Sequence, residues 1–495
     1  MTIADVAITA LSVVLVALVA AGAVPALVAL FHFLAIPFHA WINHYGKARP
    51  TTPRVAIVIP AWNEGLVIGT TIDRLLQLDY PRDRLRICVV DDASTDDTPD
   101  VVRDRAERHP GVVVHMRREQ GGEGKAHTLN HGIRTLLQDD WMEALLIMDA
   151  DVIYRRDSLR KMTRHLADPE VGAVTGYVRE GSATKNAVTR FIAFEYVLAQ
   201  IASRRAQNVV GAVACLAGGA QLHTRENIEA LGGAIDTTTL AEDTVTTFET
   251  QLGGRKVVFD PHAVVLAEEP PSLDALWKQR LRWGRGNVQL TIRSRRIWFR
   301  PSKVHGLGSL AFGLSWFSVF LLPAFMIGAS VGLIGLYLLD SDLATVVFRA
   351  LWIVVGCAYV FSMAFAAQLD PEIGRIAWRE ILLFPGIISL VVMVAAFYPG
   401  LVDGWLLDLL GVDMTPALRT TFDLASYAWI SLSMLAAWGV RHVDRTRARW
   451  LTVPLLYLVG FGPVLCAVTF AAYVAEARRL DRVWEKTEKT GRVAG

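Results

Sequence analysis

From Val6 to Leu30 the chain runs 25 residues without a charge, a length of apolar sequence that a soluble domain seldom has room to bury. A bilayer core does have room, since a crossing helix needs about 20 such residues. No basic region precedes the run and no small-residue cleavage site closes it, so it reads as a membrane helix and not as a cleaved leader. Basic residues follow at Lys47, Arg49 and Arg54. The positive-inside rule then places the N-terminus outside and the chain from residue 45 onward in the cytoplasm. The sequence turns apolar again near residue 306, with expected spans at 309–338, 345–367, 381–399, 422–440 and 451–475. Several contain Gly or Pro, which membrane helices tolerate. The last holds Gly460 and Pro463 mid-segment, between the basic stretch Arg441–Arg449 and a basic tail (Arg478, Arg479, Arg482, Lys486, Lys489, Arg492). It is either a single crossing or a re-entrant or interfacial hairpin.

Composition agrees: 53% of the residues are hydrophobic and 20% charged, and the mean hydropathy is +0.35. A net charge of +2 says little in bulk, and no nucleic-acid partner is expected. The cysteines Cys88, Cys215, Cys357 and Cys466 form no CxxC pair, which argues against a disulfide framework or a zinc site.

Residues 50–300 read differently. Short apolar runs occur in "RVAIVIPAWNE", "RLRICVVDDAS", "GVVVHMRRE", "EALLIMDADVIY" and "VGAVTGYVRE", separated by helix-like stretches such as Leu66–Leu78 and Thr98–Arg108. That alternation predicts a mostly parallel sheet covered by helices on both faces. Ligands of such sheets bind beyond the carboxyl ends of the strands. The first strand ends in Pro60, Trp62, Asn63 and Glu64, the second in Asp91 and Asp92, the fourth in Asp149 and Asp151. A bland alternative for the second is that Asp92 or Ser94 caps the helix near Thr98.

Side chains alternate along a strand, so Asp149 and Asp151 are expected on one side of it. Two converging carboxylates call for a cation. Hard oxygen ligands suit Mg²⁺ or Mn²⁺, commonly shared with substrate phosphates, and the bland reading is a solvated turn. "LAEDTVTTFETQLGG" puts Glu242 and Asp243 at a helix start with Gly253–Gly254 at its end. There Asp243 is either a favourable helix-end charge or a general base. "LWKQRLRWGRG" sets Gln279, Arg282 and Trp283 on one helix face. Arg can hold a pyrophosphate and Trp can stack on a sugar. The segment Ser272–Arg300 also holds eight basic residues and one acid, as a membrane-surface amphipathic helix would.

In this order and separation, "VIPAWNE", "VVDDAS", "MDAD", "AED" and "QRLRW" resemble the membrane-bound processive family 2 glycosyltransferases. That group includes cellulose, chitin and hyaluronan synthases. In "LAEDT…FDPHAVVLAEEPPSLDALWKQRLRWGRG" the pattern is most similar to the bacterial poly-β-1,6-N-acetylglucosamine synthases. The resemblance is close over residues 50–300 and extends to the flanking segments in layout only. It implies a GT-A-like, Rossmann-like α/β domain in the cytoplasm, inserted between transmembrane helices of the plasma membrane. It also implies a metal-dependent enzyme that transfers sugar, with inversion, from a UDP-sugar to a growing β-linked polysaccharide, coupled to export. The alternative is a non-processive enzyme that adds one sugar to a membrane lipid.

Residue by residue, the resemblance implies that Pro60, Trp62, Glu64, Asp91 and Asp92 border the nucleotide. The family usually has Tyr or Phe where Trp62 stands. Lys125 would approach the phosphates, although Glu119 and Ala126 exclude a Walker loop. Asp149 would contact the nucleotide and Asp151, with Asp149, the metal. Asp243 would be the base beside Glu242, in a motif whose usual Thr is here Ala241. Cys215 and Gly218 of "CLAGGAQ" would line the acceptor side, and Gln279, Arg282 and Trp283 would hold diphosphate and acceptor. The expected organisation is a membrane helix (1–45), the transferase domain (50–270), an interfacial segment (271–305), about four to five membrane helices (306–475) and a basic tail (476–495). Membrane lipids are expected partners. Asp370, Asp403 and Asp408 read as loop residues at membrane ends, with a part in export as the alternative.

Overall fold

In a computed structural model, which describes residues 3–42, 45–400, 411, 413–480 and 493, the chain divides into two units. One comprises Met1–Phe33, Ser272–Gly284 and Leu314–Arg478, the other Leu34–Pro271, Arg285–Gly313 and Arg479–Gly495.

The first unit is helical. The N-terminal apolar run forms α1 (Ile3–Ala21) and α2 (Val24–Trp41), interrupted at Gly22–Ala23, with α2 from Leu34 onward belonging to the other unit. Together they make an apolar stretch of 39 residues; Leu322–Leu339 and Ser341–Leu369 are also long and apolar enough to cross a membrane. The expected span 309–338 is split at Leu321, because Pro323 starts a new helix. The expected span 381–399 is broken into Trp378–Leu382 and Ile387–Phe397. Residues 422–440 lie within the helix Pro416–Asp444, which carries Arg419, Asp423 and Arg441. The segment 451–475 bends by 99° between Val459 and Phe461, so the described residues supply two C-terminal spans by length and apolarity, or three if the bent pair is one. The chain is a multi-pass membrane protein. Close packing of small residues holds these helices together, as expected where lipid removes the hydrophobic drive. A Cβ on Gly332 would stand 2.7 Å from Leu15 O and Val19 Cγ2, and Leu15, Val19, Ala329, Leu333, Leu336 and Tyr427 share one buried cluster. Asp370 caps the helix Pro371–Ile376 through the Ile373 amide, 3.2 Å from its Oδ1, which fits the bland reading of that residue. Asp403, Asp408 and most of the basic tail lie outside the described residues.

The second unit is an α/β domain flanked in sequence by these apolar helices. Its strands are β1 (Val55–Ala61), β2 (Leu85–Asp91), β3 (Val113–Arg117), β4 (Ala144–Ile147), β5 (Val152–Tyr154), β6 (Val171–Glu180), β7 (Gln221–Thr224) and β8 (Lys256–Ala267). Its helices include α3 (Gly65–Leu75), α4 (Thr98–Arg108), α5 (Lys125–Leu136), α6 (Ser158–Thr163), α7 (Ala187–Tyr196), α8 (Ser203–Val210), α9 (Arg225–Ala230) and α10 (Glu242–Leu252). The strands form one sheet in the order β3-β2-β1-β4-β7-β6-β8-β5. Residues of both parities along β1, among them Ala56, Ile57, Val58 and Ile59, are fully buried, so helices cover both faces. One face packs Ala56, Val58, Cys88 and Val90 against Leu129, Ile133 and Leu136 of α5. Gly132 lets α5 approach, since a Cβ there would stand 2.7 Å from Val90 Cγ2.

The sheet is mostly parallel, as expected, with antiparallel joins: β1–β2, β1–β4, β2–β3 and β6–β8 are parallel, whereas β4–β7, β6–β7 and β5–β8 are antiparallel. One expectation needs correction. The stretch "EALLIMDADVIY" is not one strand. β4 stops at Ile147 in the middle of the sheet, and β5 restarts at Val152 on its far edge, paired with β8. Asp149 and Asp151 therefore sit in the connecting turn, and strand alternation does not set their directions.

The helix α11 (Leu273–Arg293) carries Gln279, Arg282 and Trp283, and the division between units falls within it, after Gly284. Its Leu273, Leu276 and Trp277 are fully buried. Trp277 meets Trp438 edge-on at 5.6 Å and lies under the Arg441 guanidinium, 4.7 Å from the ring.

Candidate active site

The chain runs outward from β1 to β2 and β3, then returns to lay β4 on the other flank of β1. Strand order reverses there, and in open α/β sheets the crevice at such a point takes the ligand. The turn after β1 holds Trp62, 42% exposed, and Glu64. Asn63 between them adopts a left-handed φ of 54°, and Ala93, just past β2, one of 56°. Non-glycine residues in that region cost on the order of 1 kcal/mol or more and persist where the surroundings enforce them. Here the two turns enforce each other. The Asn63 amide donates to Ser94 Oγ (2.9 Å), and Asn63 Oδ1 accepts from the Thr95 amide (2.8 Å). Pro60, beside Val90 in the β1–β2 register, closes the strand before this turn.

The acids after β2 are structural anchors, not helix caps. Asp96 Oδ1 accepts from the Thr98 amide (3.0 Å), so Asp92 and Ser94 do not cap α4. Asp91 is fully buried and accepts from Arg117 (2.8 Å) and the Ser94 amide (2.8 Å). Burial pushes its carboxyl up, but the His115 ring 3.5 Å away, hydrogen bonds from Ser94 and the Arg117 charge outweigh that and hold it below the usual carboxylate range. Asp92 pairs with Arg118 and accepts from the Gly122 amide at 2.9 Å. A Cβ on Gly121 would collide with the Asp92 carbonyl oxygen, and Gly122 and Gly124 have φ of 91° and 105°. The glycines thus press the loop onto Asp92 and deliver Lys125 as the first residue of α5. Composition alone did not single out Arg117 and Arg118, which neutralise the pair.

Lys125 is where the separate motifs meet. Its Nζ lies 2.6 Å from Asp149 Oδ1, 3.6 Å from Glu242 Oε1 and 3.5 Å from the Gly218 carbonyl oxygen. A cation at a helix N-terminus is disfavoured by the helix dipole, so these acids are what hold it. Burial alone lowers its affinity for a proton, but Asp149, Glu242 and Asp243 outweigh that and hold the ammonium well above the ordinary lysine range. A Cβ on Gly218 would stand 3.2 Å from Lys125 Nζ, 3.4 Å from Asp243 Oδ2 and 4.0 Å from Asp149 Oδ2. Glycine leaves an open cradle among the three charges. Tyr154 donates to the next carbonyl, that of Gly219, at 3.0 Å; sequence reasoning missed it. Glu242 and Asp243 open α10, as expected, and the Thr244 amide lies 2.7 Å from Asp243 Oδ1. Burial, and then the Asp243 charge, push the Cys215 thiol well above its ordinary range.

Asp149 and Asp151 are oxygen donors of the kind a hard cation takes. Among the described residues no three His, Cys, Asp or Glu groups are arranged to hold a metal ion. The pair therefore fits such an ion in chemistry but not in number, and the rest of its shell would come from substrate phosphate and water. Asp151 is buried, and the Asp149 side chain is 35% exposed.

Gln279, Arg282 and Trp283 belong to the other unit. There Gln279 Oε1 accepts from Arg280 at 2.6 Å, and the Arg280 guanidinium sits 4.1 Å from the centre of the Trp283 ring. Arg280, which sequence reasoning passed over, organises both.

Residues 53–286 match the model described as "Glycosyltransferase like family 2". A probable glycosyltransferase, YdaM of Bacillus subtilis (strain 168), is 33% identical over 243 residues, 49% of this chain and 57% of that protein. The poly-beta-1,6-N-acetyl-D-glucosamine synthase of Staphylococcus aureus (strain COL) is 28% identical over 240 residues, 48% of this chain and 56% of that one. The match thus spans just over half the length of these relatives. Among solved structures, the mannosyltransferase PcManGT from Pyrobaculum calidifontis in complex with GDP-Man and Mn²⁺ is similar with a TM-score of 0.50 at 26% identity. That alignment covers 72% of this chain and 96% of that one.

Proposed function

We propose that the chain is a family 2 glycosyltransferase, on the match of residues 53–286 to that family's model, and that it transfers a sugar from a nucleotide sugar to a membrane-associated acceptor, building a β-linked polysaccharide. The observation that carries this reading is the convergence of Lys125, Asp149 and Asp243 on the Gly218 cradle, at the carboxyl edge of the parallel strands. Asp243 takes the proton of the acceptor hydroxyl. That oxygen bonds to the anomeric carbon as the bond from this carbon to the diphosphate oxygen breaks, and the nucleoside diphosphate leaves with the electron pair. One displacement inverts an α-linked donor to a β-linked product, with no carboxylate nucleophile of the kind a retaining glycosidase needs. Trp62, Glu64 and Asp92 border the nucleotide, with Asp91, fully buried against Arg117, holding the turn behind them, and Cys215 and Gly218 border the acceptor side. A divalent cation held by Asp151 and Asp149 would neutralise charge on the departing diphosphate. The roles given to Gln279, Arg282 and Trp283, holding diphosphate and acceptor sugar, rest on their motif.

A second reading draws on the solved mannosyltransferase, which was determined in complex with GDP-Man and aligns over 96% of its length. It is a transferase that moves one sugar from a GDP-sugar to a lipid. The test is a panel of UDP- and GDP-sugars given to the purified full chain, with release of nucleoside diphosphate measured and the product sized. UDP release with long polymer is expected. GDP release with a single-sugar lipid product selects the second reading, and no release from any donor overturns both.

A further inference from the structure

We propose that Lys125 is an internal counter-ion that occupies Asp149 while no donor is bound, and so makes divalent-cation binding depend on the nucleotide diphosphate. The proposal rests on the reading of Asp149 and Asp151 as the cation's ligands.

The ammonium is 2.6 Å from one Asp149 oxygen and within 3.6 Å of Glu242. Its side chain is 12% exposed against 35% for Asp149, so the lysine lies on the inner side of that carboxylate. Its backbone is held in place. Gly124, locked at a left-handed φ of 105°, sets the start of α5, and Asp92 holds the preceding glycine loop through the Gly122 amide. The space beside its tip is the Gly218 cradle, where a Cβ would stand only 3.2 Å from Nζ.

A divalent ion approaching Asp149 therefore meets a positive charge 2.6 Å from its own ligand oxygen. Like charges a few ångströms apart in a partly enclosed site repel by on the order of kilocalories. The carboxylates alone do not provide a full shell, as no three-acid arrangement exists among the described residues. A diphosphate changes both terms. It brings negative charge that offsets the ammonium, and it supplies the missing oxygen ligands. Cation and nucleotide then bind with positive coupling. By reciprocity each holds the other, so the cation departs with the diphosphate after transfer.

The experiment titrates Mn²⁺ into the full-length protein and follows free Mn²⁺ by its electron paramagnetic resonance signal, first without nucleotide and then with UDP or GDP. Wild type should bind Mn²⁺ weakly alone and at least ~tenfold more tightly with the nucleotide it accepts. Lys125→Gln should tighten nucleotide-free binding by about tenfold and shrink the nucleotide-dependent gain to match. Lys125→Arg, which keeps the charge should the neutral variant fail to fold, should behave as wild type. The proposal is overturned if folded Lys125→Gln binds Mn²⁺ no more tightly than wild type, if Lys125→Arg binds it tenfold more tightly without nucleotide, or if wild type shows no coupling. Mn²⁺ binding with nucleotide that survives both Asp149→Asn and Asp151→Asn marks a different failure: the ligand assignment itself is wrong, and the role of Lys125 falls with it.

Discussion

The Gly122 amide donates to Asp92 Oδ2 at 2.9 Å, while Arg118 pairs with the other oxygen of that carboxylate. One acid at the end of β2 thus anchors the glycine loop that leads into Lys125. Asp92→Ala should release the loop, raise KM for the donor about tenfold or more, and lower kcat less, since losing a hydrogen bond to a charged group costs ~1.5–3 kcal/mol. Steady-state kinetics with varied donor would check this, and an unchanged KM would show that the loop is held by other means. Gly121→Ala should have the same effect, because its Cβ would collide with the Asp92 carbonyl oxygen.

Asp243 stands at the head of α10, 3.4 Å from the Cβ that Gly218 lacks. Asp243→Asn keeps the shape and removes the base. Turnover should fall by roughly 10²–10⁴-fold while binding of the nucleoside diphosphate stays within about twofold. Single-turnover assays paired with calorimetric UDP binding distinguish this from a folding defect. Substantial remaining turnover would move the base elsewhere.

His223, on β7 in the centre of the sheet, is fully buried; its Nδ1 accepts from Asn227 (3.1 Å), whereas Nε2 has no hydrogen-bond partner. Burial depresses its pKa from 6.5 to about 3. Below pH 6.5 the unfolded chain takes up a proton that the folded domain refuses until about pH 3. Stability is therefore lost as pH falls through this window, by roughly 1.4 kcal/mol per unit, or about 2 kcal/mol at pH 5. Thermal unfolding at pH 7 and pH 5 should show the loss, and His223→Gln should reduce it. An identical pH slope in that variant would assign the acid sensitivity to other groups.

Gly386 and Gly460 cross backbone to backbone within the membrane unit, at φ of 87° and 98°. The Phe384 carbonyl accepts from the Phe461 amide at 2.9 Å, so the 99° bend is locked by a neighbouring turn. Gly460→Ala should lower stability in detergent by about 3 kcal/mol or more, combining a glycine-only backbone region with a collision. A melting temperature within a degree of wild type would refute that lock.

Much of this architecture is local in origin and was legible beforehand. The uncharged run Val6–Leu30, the start of α10 at Glu242 and the helix carrying Gln279, Arg282 and Trp283 all follow from short-range rules of hydropathy and helix ends, whereas the bend at Gly460 is one of two readings that local rules leave open. The order of the motifs also pointed to the family that residues 53–286 match. What local rules do not encode is which strands become neighbours. β7 enters antiparallel beside β4, β5 leaves for the far edge of the sheet, and Asp149 and Asp151 end in a turn. Only tertiary structure brings Lys125, Asp149, Glu242 and the cradle of Gly218 together. These groups come from different elements, and their pairing follows from the cost of burying each charge alone.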